Sequence, residues 1–155
     1  MREMDVLGVR VSIPDNEVVV VLADKIGPVV LPIVIGPREG AAIATAQAGI
    51  VPERPQTHDL MMSLLELMGQ QIVEVRVTKL DEGTFFAELV LSSGRIVDAR
   101  PSDAIALALR ASCPVKCAEA VIDSAGVIME AEEDTKIVEE FRTFLEDLDP
   151  EDFAE

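Results

Sequence analysis

The order of hydrophobic and polar positions predicts three strands followed by a helix in the first third of the chain. Pro32 falls inside the third apolar run and places part of that strand at an edge or a bulge, because proline lacks a backbone donor. A helix is predicted to open at Pro37, where the missing N–H costs nothing, and to end at Gly49. The predicted strands are Asp5–Ile13, Val18–Leu22 and Val29–Ile35.

A second helix, 57–69, comes next, and the same order of elements then recurs. Thr57 is its predicted N-cap, and Asp59 is placed to complement the helix dipole. The helical spacing is carried by Leu60, Met61, Leu64, Leu65 and Met68. The later predictions are strands Ile72–Leu80, with Val73, Val75 and Val77 on one face, Phe85–Leu91 and Arg95–Ala99, then a helix that opens at Pro101 and breaks at Cys113–Pro114.

The two halves of the chain match when the helix starts are overlaid. A shift of 64 residues places Pro101 on Pro37 and Asp103 on Glu39, so each half has three strands and a Pro-led, Ala-rich helix with an acid two positions later. This pattern indicates an internal duplication, with repeat units of about 1–49 and 71–112 linked by helix 57–69. The predicted fold class is α+β, with duplicated β-β-β-α units that form a mixed sheet packed with helices.

The last 26 residues differ from the rest of the chain. Residues 130–155 hold 12 acidic and 2 basic side chains, so they carry −10 of the total net charge of −16. The pattern predicts an amphipathic C-terminal helix with an acidic face, distinct from a domain at 1–129. Its apolar stripe consists of Ile137, Val138, Phe141, Phe144, Leu145 and Leu148.

Composition and charge narrow the classes of function. The acidic balance argues against unaided binding to a nucleic-acid backbone, and 3% aromatic residues, with no Trp or Tyr, leave no platform for stacking bases. No secretory signal or apolar membrane span is predicted, and Cys113 and Cys117 do not have redox or zinc spacing. We therefore predict a cytoplasmic protein that does not contact membranes. Phosphate-binding loops and serine-hydrolase elbows are also missing.

Polar residues at element ends are the candidates for chemistry. His58 is the one histidine, next to Asp59 and after Arg54, and it could transfer protons in phosphodiester cleavage. The simpler interpretation is an ordinary helix N-terminus with an exposed histidine, and that alternative is favoured by the residues alone.

A second group of candidates consists of acids near two helix starts. Asp98 and Asp103 flank Arg100, and Glu39 follows Arg38 at the matching position of the first half. Oxygen ligands of this kind suit Mg²⁺ or Mn²⁺, so Glu39, Asp98 and Asp103 are predicted metal ligands. If a pseudo-twofold axis relates the halves, Glu39 and Asp103 approach each other. The alternatives are helix capping and an Asp98–Arg100 pair on one strand face.

Three segments resemble the bifunctional nuclease domain family in order and spacing: Leu31–Glu39, Arg54–Leu60 and Asp98–Ala108. The resemblance covers roughly residues 1–125, and the last segment is its most specific part. It implies a metal-influenced nuclease acting on RNA and DNA, with a duplicated fold that assembles as a homodimer or a larger homo-oligomer. Two positions depart from the family: Phe86 replaces a frequent Tyr, and Gly40 replaces a frequent Ala, a change from which we expect little effect.

Together these points predict a metal-assisted nuclease of little sequence preference, with Mg²⁺ or Mn²⁺ as cofactor and RNA or DNA as substrate. The catalytic candidates are His58, Asp59, Asp103 and Glu39, and the phosphate-binding candidates are Arg38, Arg54 and Arg100. The competing hypothesis is a non-catalytic oligomeric module with a regulatory or ligand-binding role. A cluster of the catalytic candidates in one polar groove would favour the enzyme.

Overall fold

The computed structural model describes residues 1–12 and 15–128, so the predicted C-terminal helix lies outside the described residues. Within them the helices are α1 (Pro37–Gln47), α2 (Thr57–Leu67), α3 (Pro101–Ala111) and α4 (Glu119–Ala125). The strands are β1 (Arg2–Ser12), β2 (Glu17–Asp24), β3 (Val29–Ile35), β4 (Ile72–Asp81), β5 (Thr84–Leu91), β6 (Ile96–Ala99), β7 (Val115–Cys117) and β8 (Val127–Ile128).

All eight described strands form one sheet, in the order β6-β5-β4-β7-β1-β2-β3-β8. Neighbouring strands are antiparallel except β4 and β7, which are parallel, so the sheet is mixed and the α+β prediction is confirmed. Pro32 pairs with Val21 of β2, and β8 reaches only Val29 and Val30 of β3. On its other side, Pro32 therefore has no described neighbouring strand. Its lack of a backbone N–H leaves no described carbonyl without a hydrogen bond there.

The main core lies between the sheet and helices α1, α3 and α4. Alternate strand residues point into it, as in β2, where Val18, Val20 and Leu22 are buried against Ile43 of α1. A small second cluster on the other sheet face contains Val21 and Val30. No described helix is both long enough and apolar enough to cross a membrane.

The structure corrects the predicted face of β4. Val75 and Val77 are buried, but Val73 is exposed, because the pairing with β5 shifts between Ile72 and Glu74 and Ile72 takes the buried place. One extra residue in a strand turns the following side chains to the opposite face, and alternation alone does not reveal it.

Three elements were not predicted: β7, α4 and β8. They have three, seven and two residues, too short for a periodic pattern. β7 is nevertheless central, because it joins β1 to β4 and thereby connects the two three-stranded groups. The order of three strands and an 11-residue helix opened by proline does occur twice, while the duplication itself stays a prediction.

Gly40 has a larger role than the sequence suggested. The helix α1 lies so close to the sheet that a Cβ at Gly40 would come within 2.5 Å of Val18 Cγ1 and 3.3 Å of Val9 Cγ1. Val18 is stiff and buried, so it cannot move aside without cost. The expectation that Gly in place of Ala does little is therefore wrong in this chain.

We expect Gly40→Ala to lower the free energy of unfolding by about 1–3 kcal/mol, the usual cost of overpacking a core. Urea unfolding measures it. In a Val18→Ala background the closer of the two contacts is removed, and the same substitution is expected to cost less. Equal costs of Gly40→Ala in both backgrounds would contradict this assignment.

Candidate active site

Three helices begin near one another with an acid in the third helical position of each. The acids are Glu39 of α1, Asp59 of α2 and Asp103 of α3. The start of α3 is connected to the start of α1 by the Arg100–Glu39 pair and to the start of α2 by the His58–Asp103 pair, so the positive ends of the three helix dipoles approach one another. A carboxylate in the first turn offsets that positive potential, which explains why each helix carries one.

Arg100 links two of these helices. Its Nη2 lies 3.2 Å from Oε1 of Glu39, and its Nε donates to Oδ2 of Asp103 at 2.9 Å. The side chain of Arg100 is 64% exposed. The predicted approach of Glu39 and Asp103 therefore takes the form of two carboxylates that share one guanidinium.

His58 completes the group from the third helix. Its Nε2 lies 2.9 Å from Oδ1 of Asp103, and the residue is only 8% exposed. In the tautomer in which Nε2 carries the proton and donates it to Asp103, Nδ1 holds the lone pair. The expectation of an exposed histidine, which accompanied the simpler interpretation, is wrong. We call Glu39, Arg100, Asp103 and His58 the junction cluster.

The junction cluster changes the acidity of Asp103. Burial raises the pKa of this carboxyl, but hydrogen bonds from Arg100 and His58 outweigh burial, so the pKa of Asp103 lies below its usual value. The pKa of Arg100 is raised, first by its hydrogen bond with Asp103. At neutral pH the cluster therefore contains an ionised aspartate that orients the imidazole.

Asp59 does not join the junction cluster. Its Oδ1 accepts a hydrogen bond from Nε of Arg110 at 2.9 Å, and its Oδ2 accepts one from the backbone N–H of Gln56 at 3.1 Å. Gln56 is the N-cap of α2, so the predicted cap at Thr57 is one residue late. Arg110 also donates to the carbonyl of Ala106 at 2.8 Å. Asp59 thus fastens the start of α2, and with it His58, onto α3.

Arg110 is the residue that the sequence analysis missed. It is a basic residue in the last turn of α3, a common way to complement the dipole, and nothing in the sequence links it to an acid 51 positions earlier. Asp59 and Arg110 also line an open cleft of about 460 Å³, whose lining residues do not include His58.

The other two arginine candidates lie at the surface. Arg38 and Arg54 are exposed, and neither makes an ion pair with another residue of the part of the chain that the structure describes. Arg38 adjoins Glu39, and Arg54 precedes α2 by three residues. Both arginines thus stand beside elements that contribute to the junction cluster.

Asp98 lies apart from the other acids. It pairs in register with Glu88 of β5, between Ala87 and Leu89, which are buried under the helices. Since side chains alternate along a strand, Asp98 belongs to the opposite face of the sheet. On that face, Oε1 of Glu88 lies 3.5 Å from Nη1 of Arg76 in β4. Nearby, Nζ of Lys116 in β7 lies 2.6 Å from Oε1 of Glu74 in β4. Arg100, the N-cap of α3, pairs with Glu39 and Asp103 and not with Asp98.

The predicted metal ligands do not form one site in this arrangement. Glu39 and Asp103 are bridged by a guanidinium, and Asp98 is on the other sheet face. Among residues 1–12 and 15–128, no three His, Cys, Asp or Glu side chains are grouped closely enough to hold a metal ion. The ligand assignment stays a prediction, and we assign no chemical step to a metal.

We expect Asp103→Asn to lower the free energy of unfolding at pH 7 and to have a smaller effect in acid. Because the pKa of Asp103 is depressed by folding, its contribution is present above about pH 4 and is lost as the pH falls through the folded-state pKa. Urea unfolding at pH 7 and at about pH 3 measures this difference. Asp98→Asn is the control, and an equal effect of Asp103→Asn at both pH values would contradict the assignment.

Comparisons with known proteins agree on one family. The family model for the bifunctional nuclease domain matches residues 20–130. An uncharacterized protein of Mycobacterium tuberculosis is 42% identical over 161 residues, covering 99% of this chain and 98% of that protein. Bifunctional nuclease 1 of Arabidopsis thaliana is 30% identical over 109 residues, covering 66% of this chain and 33% of that protein. For bifunctional nuclease 1 of Oryza sativa subsp. japonica the identity is 27% over 117 residues, with 72% and 35% covered. The chain thus spans about a third of the length of these plant relatives.

Proposed function

Because this chain belongs to the bifunctional nuclease domain family, we propose that it hydrolyses phosphodiester bonds of RNA, DNA or both with little sequence preference. The observation that carries the proposal is the His58–Asp103 pair, at 2.9 Å, beside an exposed arginine. A carboxylate that orients an imidazole is a common arrangement for general base catalysis. It is the arrangement in the junction cluster best suited to moving a proton.

The proposed step begins with the lone pair on Nδ1 of His58. It takes a proton from a water molecule, the water oxygen forms a bond to phosphorus, and the bond from phosphorus to the leaving oxygen breaks as that oxygen takes up a proton from solvent. Asp103 stabilises the imidazolium that forms. Arg100 gives only some of its five N–H donors to Glu39 and Asp103, so the others are available for phosphate oxygens.

Arg38 and Arg54 are proposed to bind the substrate backbone outside the reacting centre. A chain of net charge −16 repels nucleic acid, so local basic side chains have to overcome that repulsion. Both arginines are exposed, and neither forms an ion pair with a described carboxylate. Their charge is therefore available to phosphate.

Mg²⁺ or Mn²⁺ remains a proposed cofactor that the assay has to test. We also propose a cytoplasmic location, supported by the two free cysteines, Cys113 and Cys117.

The alternative is a non-catalytic module in which the junction cluster only fastens helices together. It is favoured by one observation: both carboxylates and the imidazole of the cluster already have partners within the chain. On that interpretation the protein has no nuclease activity, and substitutions in the junction cluster change only its stability.

We expect His58→Gln and Asp103→Asn each to lower the cleavage rate by about 10²–10⁴-fold, the usual contribution of general acid–base catalysis. The assay uses single-stranded RNA and DNA with Mg²⁺, with Mn²⁺ and with a chelator, on protein freed of contaminating nucleases. Thermal melts identify variants that have lost their fold. Asp81→Asn, at the exposed end of β4 and outside the set of candidate residues, is the matched control and is expected to keep wild-type activity.

Two results would count against different parts of this proposal. Activity that survives in the His58→Gln/Asp103→Asn double variant would reject the site while keeping the function. No cleavage by the folded wild-type protein under any of the three conditions would reject the nuclease and leave the helix-fastening module.

We expect Arg38→Ala and Arg54→Ala to weaken single-strand binding and to leave the rate at saturating substrate nearly unchanged. Each lost phosphate contact should make the slope of log affinity against log salt shallower by about 0.7. Fluorescence anisotropy at several salt concentrations measures the slope. Arg95→Ala, in the exposed turn before β6, is the control, and an equal change there would show that only net charge matters.

A further inference from the structure

The face of the sheet that lies away from the helices is apolar in one half. On β1, β2 and β3, alternate residues point to this rear face, while the residues between them point into the main core. No residue of a described helix belongs to the apolar cluster on the rear face. We call this cluster the rear cluster, and it consists of Leu7, Val19, Val21, Ala23 and Val30.

Two members of the rear cluster are too well buried for an open face. Val21 is 2% exposed and Val30 is 4% exposed. Side chains stand roughly perpendicular to a sheet, so they meet solvent unless another layer covers them. Val34, further along β3 on the same face, is 60% exposed and shows what a valine without cover looks like there. Val21 and Val30 are therefore covered, and the cover ends before Val34.

The loop between β2 and β3 does not supply this cover. Ile26 in that loop is 97% exposed. Lys25 leans the other way, because its Nζ lies 2.9 Å from Oε2 of Glu3 in β1, whereas Val30 is on the opposite side of β2. The cover over Val30 therefore comes from another part of the chain or from another molecule.

The turn that includes residues 13–14 is at the wrong end of the hairpin. Val30 pairs with Ala23, while β1 and β2 meet that turn at Ser12 and Glu17. The distance along β2 from Ala23 to Glu17 is about 20 Å, which is more than so short a turn can reach back. Within this chain, residues 129–155 are left to provide the cover.

We propose that residues 129–155 of the chain's own C-terminal segment dock on the rear cluster through their apolar stripe. The strand β8 brings the chain to the right place, because Val127 pairs with Val30 and Ile128 with Val29. Residue 129 thus follows a strand that lies about 5 Å from β3. A segment tethered beside its docking face reaches a high effective concentration there, so it needs less contact area than a separate molecule.

The dimensions of the segment agree with those of the rear cluster. The predicted apolar stripe runs from Ile137 to Leu148, which corresponds to about 18 Å of helix. The rear cluster is about 13 Å long from Val19 to Ala23 and about 10 Å wide across three strands. Residues 129–136 can extend over about 27 Å, enough to turn back from the edge of the sheet onto its rear face.

Charge also agrees with this occupant. Arg10 lies on the rear face, because its neighbours Val9 and Val11 point into the main core, and it pairs in register with Val19 of the rear cluster. Residues 130–155 carry a net charge of −10. An apolar stripe flanked by acids therefore matches an apolar cluster with a basic residue at its margin.

Docking of this kind would separate the acidic segment from the junction cluster. The helices that carry the junction cluster pack on the other face of the sheet. The most acidic part of the chain would then lie away from the face on which we propose that nucleic acid binds, which reduces repulsion there. The contact itself does not rest on the proposed nuclease function.

Thiol labelling of the full chain tests the proposal. The protein carries Cys113→Ser and Val30→Cys, and Cys117 is fully buried and stays unlabelled while the fold is intact. We expect Phe141→Glu, at the centre of the stripe, to raise the labelling rate at position 30 at least about tenfold, because a charge is not tolerated in an apolar contact. Thr143→Glu adds the same charge on the opposite side of the predicted helix and leaves the rate unchanged.

Val34→Cys in place of Val30→Cys is the reference, and it is expected to react fast with and without Phe141→Glu. Equal labelling rates at position 30 with the unchanged segment, with Phe141→Glu and with Thr143→Glu would overturn the proposal. Protection of position 30 that is lost on dilution would also overturn it, because the cover would then be a second molecule.

A photo-cross-link provides a second measurement that keeps an aromatic side chain in the stripe. With p-benzoylphenylalanine in place of Phe141, illumination is expected to join residue 141 to β2 or β3 of the same chain. Trypsin separates the possible targets, because β2 lies in peptide 11–25, β3 in peptide 26–38 and α2, with its exposed Leu64, in peptide 39–76. Cross-links to peptide 39–76, or between two chains, would reject the rear cluster as the docking face.

Discussion

The arrangement of the helices depends on the charge balance where α1, α2 and α3 begin. Helix starts carry a partial positive charge, and bringing three of them together is unfavourable unless negative charge is placed among them. Glu39, Asp59 and Asp103 supply that charge at the third position of each helix. Three carboxylates in turn need cations and donors. Arg100, Arg110 and His58 meet this need and bind one helix to the next.

The same pairing that holds the helices together also fixes the position of the His58 ring. His58 is buried and bonded through one nitrogen, so its ring is fixed and its other nitrogen is left for a proton. Arg110 affects the position of His58 indirectly, because it bonds to Asp59, the residue that follows His58 in the first turn of α2. Under the proposed function, one group of ion pairs would have both a structural and a catalytic role, so stability has to be measured beside activity when any member is changed.

The helix α2 lies along the chain between the two groups of three strands and a helix. It contributes the histidine on its inner side and an apolar face on its outer side.

Much of this molecule followed from local pattern. The six longer strands, helices α1 to α3, the α+β class and the short list of polar residues at helix starts were readable because each depends on periodicity, proline or capping within a few residues. The family resemblance rested on the same segments, and the family model matches residues 20–130.

Other features were decided only by tertiary structure, because they depend on which distant residues meet. Sequence placed Asp98 with Asp103, but the pleat of β6 turns Asp98 to the opposite face of the sheet. It did not link Arg110 to Asp59 or show that Gly40 lies against Val18. The alternating pattern of β4 concealed a bulge that turns Val73 outward. The sequence alone determined which side chains stand at the helix starts. Only the packing of three helices on one sheet decided that Glu39, Arg100, Asp103 and His58 come together, because ion pairs between helices depend on distances that no spacing along the chain records.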